Sequence, residues 1–293
     1  MRYLANKKHQ AHINTFLKIF LAVMTAITFA SFCKHIFWQY LNEFRLQMFL
    51  LLAVALIYTL LRRFYLYATF LFLLLMINFY AISSVAVFRG EFPSAGTKLL
   101  FVPTVTDSNK LFDDIISQSP DIVAVSKVKT AYFSANEMIP EQYHFLHPAD
   151  TAENGFMLSA TKAVLSGRIN LGHNTYAEFA KLNTGQNQTV FVAVDFSQRN
   201  LLEIDNLLGN LSTFVAEQDD PVVIFGDFNI VAWSRPLSKF ISKHNLVIKN
   251  GLFDNLRNIF IPQNHYILAY EKTDISGQIA LPYLNSLPLF TRF

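Results

Sequence analysis

Hydrophobic positions follow two unlike patterns along this chain. Up to residue 88 they run together in long blocks, and beyond residue 97 they come as short runs between polar breaks. The blocks are Phe16–Cys33, with Lys18 near its start, then Leu46–Leu61, then Phe64–Phe88. A helix rises about 1.5 Å per residue, so roughly 17–25 apolar residues cross a bilayer. The first and third blocks meet that length. The second is short, and Arg62 and Arg63 extend it by reaching back to the headgroups. The pattern predicts a membrane anchor over residues 1–89 with three transmembrane helices at about 16–33, 46–61 and 64–88.

Two further spans follow the first directly, which argues against a cleaved leader. Phe32 is bulky where a lipid-attachment site expects a small residue, so Cys33 reads as an ordinary core or interface cysteine. Asn78, in mid-span, calls for an interhelical hydrogen bond.

Residues 90–97 form a short linker with glycine, proline and serine. Residues 98–293 then alternate between two periods. Strand runs are expected at Leu99–Val102, Ile122–Val125, Phe156–Ser159, Ala163–Ile169, Thr189–Val194 and Val222–Phe225. Tyr266–Tyr270 alternates like a half-buried strand. Ser108 begins a helix to about Gln118, ended by Ser119-Pro120-Asp121. From about Asn200 to Glu217, Leu201, Ile204, Leu208 and Leu211 recur at helical spacing. Interleaved strands and helices of this kind imply an α/β domain with a buried sheet core.

Composition and charge sharpen that division. Of 293 residues, 52% are hydrophobic and 15% charged, against about 25% charged in ordinary soluble domains. Residues 1–89 hold nine Lys/Arg and the single acid Glu43, a net +8, and residues 90–293 carry a net −5. Arg2, Lys7 and Lys8 precede the first span and Arg62-Arg63 join the second to the third, so both sites belong on the cytoplasmic side. An odd number of spans then exports the C-terminal domain, and Trp38 and Tyr40 in the outer loop suit an interface. The absence of cysteine after Cys33 fits an oxidising exterior and excludes a disulfide framework or a Cys-based zinc site. A mildly acidic domain disfavours stable nucleic-acid binding, which needs a basic face.

One segment carries a chemical signal. Pro221-Val-Val-Ile-Phe-Gly-Asp-Phe-Asn229, followed by Trp233-Ser234, runs a buried strand into a glycine, an acid and an amide. Asp227 could orient an attacking water while Asn229 donates to a phosphoryl oxygen. The bland reading has both side chains satisfying backbone groups in a tight turn. Elsewhere, His144 and His147 lack a third ligand at local spacing and read as loop histidines, and the Asn187-Gln-Thr189 acceptor triplet is assigned no role.

Gly226-Asp-Phe-Asn229 after an apolar strand, with Trp233-Ser234 beyond, resembles the endonuclease/exonuclease/phosphatase superfamily. The preceding spans are similar to those of its membrane-anchored bacterial branch. The resemblance runs from about Lys98 to Pro288 and takes in Leu99–Val105, Pro120–Val128, Gly155–Ser159 and Val190–Asp195 as family strands. It implies a four-layer α/β sandwich, two packed β-sheets flanked by helices, that hydrolyses phosphate esters with a divalent metal, Mg2+ or Mn2+. It also implies a bacterial inner or plasma membrane location.

Position by position, most of the family's machinery is substituted. The metal-binding glutamate falls at Lys127, the asparagine after the first strand at Thr104, and the catalytic histidine of the central strand at Asp195. The Asp-His pair before a later strand appears as Asn264-His265, where the histidine would support the strand. The C-terminal Ser-Asp-His signature falls at Leu284-Asn285-Ser286, placed by Pro288. Lysine repels a cation, a carboxylate at position 195 repels phosphate, and the neutral Asn285 and Ser286 replace a charged transition-state donor. Lys127 either neutralises Asp227, with or without Asp195, or swings out to solvent.

The expectation is therefore a membrane-integral, exported domain that has lost catalysis and binds a protein partner or a phosphorylated envelope ligand. The alternatives are a metal-dependent phosphoesterase acting on a lipid-linked phosphate, with Asp227, Asn229 and Asp195 as its site, and a structural membrane protein.

Overall fold

The computed structural model describes residues 2–30, 41, 44–83, 97–102, 115–125, 142–146, 156–184, 187–197, 199–249, 264–270, 273 and 275–279. The chain divides into two compact units, the first built around Met1–Ala86, the second around Val87–Ile230, Pro236–Leu252 and Gln263–Phe293.

Among the described residues the first unit has the helices α1 (Arg2–Ala30), α2 (Arg45–Leu61) and α3 (Tyr65–Ser83). His12–Phe29 and Tyr65–Ser83 are long and apolar enough to cross a membrane, while α2 is a shorter apolar helix. Among the described residues two helices thus reach that length where the block pattern predicts three. The α2–α3 turn closes on Arg62 and Arg63, the latter in the left-handed region at φ 58°, with Phe64 N–H donating to the Thr59 carbonyl at 2.8 Å. Met24, Leu52, Leu71 and Leu74 form the buried seam. Large apolar side chains such as Val54, Leu66, Phe70 and Tyr80 point outward. Asn78 makes the expected interhelical bond, its Nδ2 donating to Thr28 Oγ1 at 3.1 Å. Cys33, Trp38 and Tyr40 lie outside the described residues.

The second unit is a sandwich of two mixed sheets. Its strands are β1 (Thr97–Val102), β2 (Ile122–Val125), β3 (His144–Phe145), β4 (Phe156–Ser159), β5 (Leu165–Gly172), β6 (Thr175–Thr184), β7 (Asn187–Asp195), β8 (Val222–Asp227), β9 (Leu246–Ile248), β10 (His265–Tyr270) and β11 (Ile275–Ile279). One sheet runs β11-β1-β2-β4-β3 and the other β5-β6-β7-β8-β10-β9. Phe101, Ile122 and Met157 of the first meet Phe191, Phe225 and Ile267 of the second in one continuous core. Behind the first sheet, Ile115, in the helical turn before Ser119, packs with Leu100, Val123 and Leu158. Such an arrangement of two packed sheets with helices outside is what alternating short strands and amphipathic helices produce when each buries its apolar face.

Helix α4 (Leu201–Ala216) begins where the spacing places it. Asn200 caps it with a full capping box, its Oδ1 accepting from the Leu202 and Glu203 amides while Glu203 Oε2 accepts from Asn200 N–H. Asn200→Ala should cost about 1 kcal/mol, read as a shift in chemical-denaturation midpoint, because it strands two amides at once.

Three expectations change. The strand expected at Ala163–Ile169 is displaced to Leu165–Gly172, and it pairs with β6, which the sequence reading does not identify. Glu178 and Lys181 interrupt β6's apolar alternation, and the two-residue turn joining it to β5 is His173-Asn174, both at positive φ, rather than an Asn-Gly signal. Strand β10 is not half-buried. Tyr266 to Ala269 are all buried, because β8 and β9 flank it in the sheet and both its faces are covered. Helix α5 (Arg235–Lys243), β9 and β11 are also additional elements.

Candidate functional site

The site stands where β7, β8 and β10 end side by side. Phe225 and Ile267 lie on the inter-sheet face. Two residues further along β8, and two residues back along β10, side chains return to that face, which places Asp227 and His265 just past the core. Asp195 and Asp227 are register partners on parallel β7 and β8, and Asp227 and His265 are partners on antiparallel β8 and β10. A row of acid, acid and imidazole therefore crosses three adjacent strands.

Gly226 makes the approach of β7 and β8 possible. It sits at φ +142°, a region L side chains rarely adopt, and an added Cβ would lie 2.0 Å from the Val194 carbonyl oxygen. Phe196 N–H then donates to the Asp227 carbonyl at 2.7 Å, sealing the strand end.

Each polar side chain of the turn has a specific task. Asp227 Oδ1 accepts from the Asn229 amide at 2.8 Å, and its Oδ2 faces His265 Nε2 at 3.4 Å. Asn229 occupies the left-handed region at φ 50°, which asparagine tolerates better than most residues. Its Nδ2 donates to the Arg199 carbonyl at 3.0 Å, tying the turn to the start of α4. Asp195 Oδ1 accepts from Ser197 N–H at 2.9 Å. The turn-satisfying reading of Asp227 and Asn229 is thus realised in the structure. Asn264 also lies here, its carbonyl accepting from Phe228 N–H at 2.9 Å.

Of the residues singled out in the sequence, Asp195, Asp227, Asn229 and Asn264 are brought together. Thr104, Lys127, Asn285 and Ser286 lie outside the described residues, as does His147. His144 is an exposed residue of β3. His265 does more than support its strand, since its imidazole faces the Asp227 carboxylate and packs against Phe101 with ring centroids 5.9 Å apart. That His265 faces Asp227 is not legible in sequence, because only strand register makes them neighbours.

Among the described residues no three His, Cys, Asp or Glu side chains converge as a metal-ion ligand set. Asp195 and Asp227 each accept a backbone amide with one oxygen, and the other Asp227 oxygen faces the His265 imidazole.

No protein-family profile matches the chain, and no curated protein sequence matches it. Solved structures of similar shape include an endonuclease/exonuclease/phosphatase family protein from Leptotrichia buccalis, at 13% identity over 62% of this chain and 90% of that one, TM-score 0.47. A mannosyl-6-phosphatase from Bacteroides thetaiotaomicron aligns at 12% identity over 61% of this chain and 86% of its own, TM-score 0.46. The human Nocturnin catalytic domain aligns at 16% identity over 55% and 73%, TM-score 0.41.

Proposed function

We propose that this is a membrane-anchored protein whose exported sandwich domain has a hydrolase-like strand-end site turned over to binding. The observation that carries the reading is the pairing of Asp195 with Asp227 on neighbouring strands. A phosphate ester entering there meets two carboxylates. Like charges at close range disfavour such an ester strongly where water is partly excluded. A protein partner is the occupant this charge favours over a phosphorylated envelope ligand. Anchoring rests on the apolar outward faces of α1 and α3, which lipid would cover, and on the basic excess of residues 1–89, which directs the N-terminus to the cytoplasm.

The test is hydrolysis of a generic phosphodiester and a generic phosphomonoester by the full chain in detergent micelles, with and without Mg2+ or Mn2+. Asp227→Ala, checked for retained fold by circular dichroism, is the matched control. The expected result is no turnover above that control. Metal-dependent turnover that disappears in Asp227→Ala would replace the binding reading with a phosphoesterase built on Asp227, Asn229 and Asp195.

A further inference from the structure

The chain that follows Asp227 makes side-chain hydrogen bonds to α4 and to the residue before its cap. Near the site, Asn229 Nδ2 holds the Arg199 carbonyl, one residue before the α4 cap. At the C-terminal end of α5 (Arg235–Lys243), the tie consists of three side chains. Lys243 Nζ donates to Ser212 Oγ at 2.7 Å, and Ser212 Oγ lies 2.7 Å from His244 Nε2. Ser212 is buried in α4, so its hydroxyl proton needs an acceptor. An ammonium only donates, which leaves His244 Nε2 to accept that proton. The acceptor role fixes the imidazole as neutral, with its proton on Nδ1.

The surroundings favour that neutral form. Burial pushes the His244 pKa down from its ordinary value, and the adjacent Lys243 charge pushes it further in the same direction. From α4 the ring meets the uncharged Ser212 hydroxyl, and from the adjoining α5 it meets Lys243 and the Phe240 ring, whose centroid is 5.1 Å away. No carboxylate is among the partners of His244 in the described residues.

We propose that Ser212, Lys243 and His244 form a pH-sensitive latch, which holds the C-terminal end of α5 on α4 while His244 is neutral and lets go when it is protonated. An imidazolium has no lone pair for the serine proton. The buried hydroxyl would then face two cationic donors at once, with its own proton unplaced. The release acts on the C-terminal end of α5, which Pro236, Leu237, Phe240 and Ile241 otherwise hold by burial.

The sign follows from the lowered pKa. The unfolded chain takes up a proton on His244 near the ordinary value of about 6.5, while the folded chain resists it to lower pH. The latch contribution is therefore complete above about pH 6.5 and is lost as pH falls through that window.

The experiment uses the full chain in detergent micelles at about pH 7.5 and about pH 5.5, a range in which histidine changes charge. Amide-exchange protection, corrected for intrinsic rates, is measured for α5 relative to α4 in the wild type and in His244→Gln. The expected result is that relative protection of α5 falls several-fold at the lower pH in the wild type and stays level in His244→Gln. Nitrogen NMR of the wild-type imidazole should show Nε2 unprotonated at the higher pH and a titration midpoint below about 6.5. An equal loss of α5 protection in both proteins, or an imidazole that carries its proton on Nε2 at the higher pH, would overturn the latch. If His244→Gln does not fold, the wild-type imidazole spectrum decides by itself.

Discussion

Gly226→Ala should be among the most damaging single substitutions in the sandwich, costing about 4 kcal/mol or more, which marks the exceptional tail of point mutations. Two separate penalties meet at this residue. A φ of +142° is strained for any L side chain, and such backbone strain costs on the order of 1–3 kcal/mol. The added methyl would also lie 2.0 Å from the Val194 carbonyl oxygen, which is backbone and cannot rotate away. Relief requires β7 and β8 to separate where Asp195 and Asp227 are register partners. The expected readout is loss of the cooperative unfolding transition of the domain, or a midpoint far below wild type. A Gly226→Ala protein with wild-type stability would mean that the two strands do not approach as described.

Phe225→Ala should follow closely, at about 3–5 kcal/mol, the usual range for deleting a buried aromatic. Phe225 is fully buried and meets Phe101 of the opposite sheet edge-on, with ring centroids 6.4 Å apart. Truncation therefore leaves a cavity between the two sheets, where strands fixed by their hydrogen bonds collapse little. Leu202→Ala provides the contrast. Leu202 is exposed on α4, and its truncation should stay within about 0.5 kcal/mol of wild type. Chemical denaturation of the full chain in micelles measures both. A Phe225→Ala effect no larger than that of Leu202→Ala would place Phe225 outside the inter-sheet core.

The two substitutions flank the same short segment, which explains why the chemical signal was legible while its meaning was not. Val222–Phe225 is a run of apolar residues ending in Gly226, and it forms a strand in any context that buries both faces. Asp227 and Asn229 follow as turn residues for local reasons, one accepting a nearby amide and the other adopting the left-handed region. What Asp227 faces across the sheet is another matter. Asp195 lies 32 residues earlier and His265 lies 38 residues later in the sequence, and only the parallel register of β7 with β8 and the antiparallel register of β10 with β8 make them neighbours. The motif could be read as a family resemblance, but the carboxylate pair and the imidazole beside it could not be derived from spacing.

The same distinction runs through the rest of the protein. Sequence alone determined the features set by local periodicity and composition: the apolar blocks within α1, α2 and α3, the α4 stripe from Leu201 to Leu211, and the buried runs at β1, β2, β4, β7 and β8. Hydrophobic spacing fixes these because each element buries a face whatever its partner is. Tertiary structure decided the features that depend on partners distant in the chain. It made β10 a core strand rather than a half-buried one by covering both faces, with Ile267 and Ala269 in the inter-sheet core and Tyr266 against Phe228. It supplied β6, whose charged Glu178 and Lys181 find ion-pair partners in Arg168 and Asp220. It brought Ser212 and His244 within hydrogen-bond distance across 32 residues. Pairing and register are long-range choices, stabilised by the total burial of the two sheets, and no local window of sequence contains them.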